Sequence, residues 1–207
     1  MRKNIIRFLL MILSLLIITY HGFSNDPRFS FHVNAGMALP LDENIKSGFQ
    51  SGFGFSYPLS QKASISFNFS YWKSRVEEER NKLLNGKMTV TPFTVSLQYN
   101  LIKEKYIIPY IFMGIGLIFT SFKIDDYVTI PEVTLTQKVQ NGISVHLGVG
   151  ANVRMRESWV FFAEMLYLHR EAGAETRISD MNFGVRIEEF SVNLSSISAQ
   201  AGVKFTF

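Results

Sequence analysis

The chain has 207 residues, with 21 Lys and Arg against 17 Asp and Glu, 47% hydrophobic residues and no cysteine. That length is one domain's worth, and 18% charge beside so much hydrophobic content excludes a disordered chain. The lack of Cys excludes a disulfide framework, a thiolate metal site and a Cys nucleophile.

Arg2, Lys3 and Arg7 precede an apolar, uncharged run over 8–20, which closes at His21-Gly22-Phe23-Ser24. This pattern predicts a signal peptide over 1–24, with small Gly22 and Ser24 at the two positions a peptidase inspects. The run is too short for an anchor of about 20 apolar residues. Residues 1–24 hold three bases and no acid, so 25–207 carry 18 bases against 17 acids. The basic balance sits in the discarded part, and a nucleic-acid partner loses the basic patch it would need.

From residue 25 onward the repeat is of period two, the mark of strands with chemically different faces. In chain order the expected strands are 29–39, 49–57, 64–71, 94–101, 107–119, 143–152, 159–169 and 197–206. Pro109 and the paired Gly114 and Gly116 argue against a helix in the most apolar of them. In the four cleanest, 64–71, 94–101, 143–152 and 197–206, all 18 positions on one face are apolar or aromatic. Of the 18 on the other face only Lys204 carries a full charge, the rest being chiefly Ser, Asn, Gln, Thr and Gly. A sheet turning that face to bulk water would carry Lys and Glu. Small neutral groups suit a cramped interior instead, where each finds a hydrogen bond. The apolar face is then left for lipid, the inverted alternation of a transmembrane barrel.

Short links at 58–62, 102–105 and 155–158 alternate with longer ones at 40–47, 76–86, 121–140 and 170–189. This is the bacterial rhythm of periplasmic turns and outer loops, and an even strand number puts both termini on the periplasmic side. Tyr57, Tyr71, Trp72, Tyr99, Tyr106, Trp159 and Tyr167 fall near strand ends, where interfacial aromatic girdles are expected. The expected fold is all-β: a signal peptide (1–24), then an eight-stranded antiparallel up-and-down transmembrane barrel (25–207).

Several segments carry a family likeness: 91–100, 109–116, Phe162-Ala163-Glu164 running to Tyr167, and the closing Ala201-Gly202-Val203-Lys204-Phe205-Thr206-Phe207. Together 26–207 resemble the eight-stranded outer-membrane β-barrel family of OmpX-like, OmpA-type and porin-family proteins. The resemblance implies that Phe207, with Phe205, Val203 and Ala201 behind it, is the signal read by the barrel-assembly machinery. It also implies residence in outer-membrane lipid and lipopolysaccharide. The OmpA role in binding peptidoglycan is not carried over.

On this assignment Glu164, Arg154 and Lys204 point inward, where isolated charges should be paired. They are expected to form a lumen network with His146 that plugs the barrel, with Gly150 opposite Glu164 leaving it room. An eight-stranded barrel is just wide enough for side chains to fill, so an open pore is not expected. His146 and His32 read as lumen histidines, since a lone imidazole does not make a metal site; no metal or cofactor is implied. His169 beside Arg170 and Glu171 raises the alternative of an outer-leaflet lipid-modifying enzyme, but no Ser stands in a distinctive setting nearby. Lys73, Arg75, Glu77, Glu78, Glu79, Arg80 and Lys82 crowd the end of the third strand, at headgroup level. In 121–140, Val128, Ile130, Val133 and Leu135 alternate about a Pro-Glu turn, which predicts a hairpin lengthening its flanking strands and a candidate protein-binding edge. The functional expectation is a monomeric, non-catalytic barrel with a structural, adhesion or envelope-interaction role. A narrow channel and a soluble ligand-binding barrel are the remaining alternatives.

Overall fold

The computed structural model describes residues 29–77, 85–102, 106–124, 133–156, 158–180 and 184–207, so the expected signal peptide lies outside the described residues. The strands are β1 (Ser30–Pro40), β2 (Gly48–Pro58), β3 (Ala63–Val76), β4 (Gly86–Asn100), β5 (Ile107–Ile124), β6 (Val133–Val139), β7 (Gly142–Arg154), β8 (Trp159–His169), β9 (Glu171–Asp180), β10 (Gly184–Asn193) and β11 (Ser196–Thr206). Eight of them close a barrel in the order β1-β11-β8-β7-β5-β4-β3-β2, and these are the eight expected from the alternation. First and last strands zip from Ser30↔Thr206 to Pro40↔Ser196, which removes the edges that lipid would not tolerate.

β6, β9 and β10 form a second sheet in the order β10-β9-β6. Two expectations are corrected here. The segment 170–189, expected as a charged loop, supplies β9 and most of β10, paired from Glu171↔Asn193 to Asp180↔Gly184. Of the expected hairpin in 121–140 the described part is β6, which among the described residues pairs not with β5 but with β9, Val133↔Asp180 through Val139↔Ala174. Val128 and Ile130 lie outside the described residues. Alternation identifies a strand but not its partner, and β9 has its own face to bury, with Ala172, Ala174 and Thr176 inaccessible and Glu171 and Arg177 exposed.

Along β3, β4 and β5 the period of two never breaks, but the chemistry of the two faces swaps partway. In β4 the outward residues run Tyr99, Leu97, Val95, Phe93 and then Thr91, Thr89, Lys87; the inward ones run Gln98, Ser96, Thr94 and then Pro92, Val90, Met88. β3 swaps at Trp72, and β5 turns polar outside after Phe119, at Ser121 and Lys123. These swaps lie at matching heights, with Trp72↔Val90 and Pro92↔Ile118 in register. Apolar-out suits hydrocarbon and polar-out suits water, so the barrel wall continues past the membrane boundary at its loop-rich end.

The interior divides at the same level. Toward the turns it is polar. Toward the loops Trp72, Met88, Val90, Ile118, Leu168 and Leu194 pack into an apolar cluster, on which Val139, Ala172 and Ala174 of the outer sheet sit. Trp72 is therefore corrected from the girdle to the core, at 3% exposure, because its parity in β3 points it inward. Tyr71, Tyr99, Tyr106 and Trp159 do remain exposed.

Candidate functional site

The lumen holds the chemistry-bearing side chains, and its geometry follows from cross-strand pairing of large with very small residues. Tyr110 stands opposite Gly150, Phe112 opposite Gly148, and His146 opposite Gly114. Phe162 likewise stands opposite Gly202, and His32 opposite Gly54. Eight strands leave too little width for two large groups at one height. A Cβ on Gly150 would lie 2.5 Å from Tyr110 Cζ and 2.6 Å from its hydroxyl.

Gly150 is also the cross-strand neighbour of Glu164, so the space it leaves lets Tyr110 reach that carboxylate. Tyr110 OH donates to Glu164 Oε1 at 2.6 Å and Gln200 Nε2 donates to Oε2 at 2.7 Å. Gln50 Nε2 donates in turn to Gln200 Oε1 at 3.3 Å, carrying the chain of bonds across to β2. Glu164 thus takes two short bonds from neutral donors. Lys204 Nζ lies 5.7 Å from the centre of the Phe162 ring. Arg154 departs from expectation: it has inward parity, but it closes β7 at the turn end, where it is exposed and outside the network.

His146 Nε2 is 2.7 Å from Ser96 Oγ, and His32 Nε2 is 2.7 Å from Asn68 Oδ1. Their Nδ1 atoms and Asn34 Oδ1 are buried without a protein partner. All three residues line a cavity of about 40 Å³ that runs through the polar half and reaches Trp72 and Leu168 of the apolar cluster. That is room for no more than a few waters, which are the usual partners of such atoms. Among the described residues no group of three His, Asp or Glu could hold a metal ion.

Against this geometry, residues 18–207 match the model of the OmpW family. The chain belongs to the OmpW family. The outer membrane protein OprG from Pseudomonas aeruginosa has the same fold, with a TM-score of 0.73 and 16% identity over 87% of this chain and 96% of that one. A major outer membrane protein from Thermus thermophilus superposes with a TM-score of 0.62 and 12% identity, covering 88% and 100% of the two chains. The attachment invasion locus protein Ail of Yersinia pestis, solved with the heparin analogue sucrose octasulfate, reaches 0.51 at 13% identity, covering 88% and 99%. No curated protein matches in sequence. An OmpW-family barrel is a bacterial outer-membrane protein, and the exposed apolar belt of Phe53, Phe69, Leu97, Met113, Ile115, Leu147 and Met165 is its lipid-facing surface.

In this OmpW-family chain a second constellation lies where β8 leaves the barrel. His169 Nδ1 is 3.1 Å from Ser195 Oγ, a Ser–His pair that sequence reading missed because 26 residues separate the two. Ser195 is 1% exposed, and its Oγ already accepts the Arg170 backbone N–H at 3.0 Å. Arg170, 3% exposed, donates from Nη1 to the carbonyls of Ile118 (3.1 Å) and Gly142 (2.7 Å), and from Nη2 to that of Gln140. Burial lowers its pKa from a value so high that the guanidinium stays charged. Arg170, its backbone held by Ser195, thus ties the junction of β8 and β9 to the tops of β5 and β7. At the other end of the barrel, Phe207 is exposed, its N–H bonded to Phe29 O at 2.9 Å and its ring edge-on to Phe205 at 4.9 Å.

Proposed function

We propose that this OmpW-family protein is a closed outer-membrane barrel that presents its second sheet to a partner at the cell surface. The observation that supports this reading is a pair of packed layers in the lumen: a polar layer centred on Glu164, and an apolar cluster around Trp72. The cavity of about 40 Å³ that threads the polar half up to the cluster supports a lumen too narrow for hydrated ions. The loop-rich end faces outward and both termini face the periplasm, in keeping with the short turns at one end and the sheet at the other. Cleavage after Ser24 delivers the chain to the periplasm. The strand ending at Phe207, Phe205, Val203 and Ala201 serves assembly, and the barrel functions as a monomer.

Among the described residues β10 is an edge strand paired only to β9, with Val185 and Ile187 more than half exposed. Such an edge accepts an added strand from a partner protein. Ail is named for attachment and invasion, which supports an adhesion role for the same fold. Purified protein in planar bilayers should pass no stable single-channel current; large steady currents would overturn the closed reading. Pull-down from intact envelope with wild type and with Val185→Ser/Ile187→Ser should lose the partner in the variant.

The Ser195–His169 pair does not support catalysis, because the hydroxyl is buried and already committed. A lipid-deacylation assay showing turnover abolished by His169→Ala would reverse that view. One observation favours a second reading as a gated conduit. The loop-rich half of the lumen is lined by Trp72, Met88, Val90, Ile118 and Leu168, so an opened plug would admit small apolar solutes rather than ions. Faster uptake of such a solute by vesicles holding the protein, with ion conductance unchanged, would favour it.

A further inference from the structure

On the outward face of β3, β4 and β5 three cations stand in one cross-strand row. Arg75 is directly opposite Lys87, and Lys87 directly opposite Lys123. All three side chains are exposed. Like charges directly opposite one another on a sheet oppose folding, so the row needs a compensating anion. Arg75 has one of its own, Glu77 at 3.2 Å. Among the described residues Lys87 and Lys123 have none.

What lies beneath the row identifies the kind of anion. One step toward the membrane the same strands align Lys73, Thr89 and Ser121, a cation and two hydroxyls. Thr91 and Phe119 come next, then Phe69, Phe93 and Leu117, the top of the apolar belt. Each step is about 7 Å along the strand, and the cation row is about 10 Å wide across two strand spacings. From top to bottom the wall therefore offers charge, then hydroxyls, then aromatic rings, then aliphatic surface. A free inorganic anion would use only the first of these layers. An amphiphile with phosphates on a broad headgroup above acyl chains would use all of them, each phosphate taking charge-assisted bonds from a Lys or Arg.

We propose that this strip is a binding site for the phosphate-bearing headgroup of lipopolysaccharide, with Lys87 and Lys123 as its main contacts and Lys73 below them. The inference rests on the loop-rich end facing the outer leaflet. It does not depend on the closed lumen or on the β10 edge.

Native mass spectrometry of the folded full chain tests it, with four probes added in turn: bisphosphorylated lipid A, its dephosphorylated counterpart, phosphatidylglycerol and inorganic phosphate. Wild type should retain bisphosphorylated lipid A above the other three. Lys87→Gln/Lys123→Gln should cut that retention at least fivefold and leave the dephosphorylated probe unchanged. A control removing equal charge from the outer sheet, Lys138→Gln/Arg177→Gln, should bind as wild type does. Heat-modifiable migration verifies that each variant is folded. Equal retention by the Lys87/Lys123 variant, or an equal loss in the control, overturns the site. Preference for phosphatidylglycerol reduces it to a generic anionic rim, and displacement by millimolar inorganic phosphate to a free-anion site; either result overturns the proposal. Surface labelling of intact cells at β10 checks the orientation separately.

Discussion

The outward face of β5 offers a depth gauge for the membrane. Its apolar residues run from Ile107 to Phe119, after which Ser121 and Lys123 follow with the same parity. Twelve residues at about 3.3 Å each make about 40 Å of strand. A tilt of about 40° reduces this to about 30 Å of height, close to the apolar band of about 25 Å found on such barrels. Met113 is at the middle of the run and 64% exposed. Placing a cation there should cost about 2–4 kcal/mol, against about 0–1 kcal/mol at the boundary. Met113→Arg, Leu117→Arg and Ser121→Arg should therefore fall in that order of cost. Reversible urea unfolding from phospholipid vesicles, followed by tryptophan fluorescence, reads the difference. With a slope of about 2 kcal/mol per molar, the midpoint should drop by about 1–2 M for Met113→Arg and by under about 0.5 M for Ser121→Arg. A flat profile, or a greater loss at Ser121 than at Met113, would refute the assignment of this face to lipid.

Tyr110→Phe keeps the ring and removes only the hydroxyl on Glu164; it should cost about 1.5–3 kcal/mol in the same assay, and a loss below about 0.5 kcal/mol would mean the carboxylate does not depend on that bond. Gly150→Val drives the tyrosine off its site, so the variant should lose heat-modifiable migration or fold at greatly reduced yield. Trp72→Ala should cost about 3–5 kcal/mol for the large buried side chain yet still pass no current in bilayer recordings, because the Glu164 layer below is intact. Ser195→Ala should cost about 1 kcal/mol and leave the barrel folded on a gel; a far larger loss would mean that Ser195 supports more than the Arg170 N–H and His169.

The eight barrel strands were legible because lipid imposes one rule on every rung: apolar outside, hydrogen-bonded inside. That rule also placed Glu164 inward and Gly150 beside it, since parity and hairpin register are local properties. Depth was not legible. Arg154 has the right parity but sits at the mouth, and only the position of the turn reveals this. Trp72 was misplaced for the opposite reason: a Trp near a strand end resembles a girdle residue until its parity is counted through the polarity swap. Extending the same count in β5 would have placed Tyr110 and Phe112 inside. β6 with β9, and Ser195 with His169, join residues far apart in sequence, and no periodicity encodes such partners.

The pairing of β6 with β9 has a consequence for biogenesis. Val133 pairs with Asp180 across a stretch of chain that contains β7 and β8, and the loop-closure cost of that pairing falls once those two strands have folded together. The outer sheet is therefore expected to complete after that part of the wall. β6 and β9 lie on either side of those two strands in the chain, so the sheet closes late rather than as a local hairpin. A ligand or antibody specific for the finished sheet would thus report that β7 and β8 were in place.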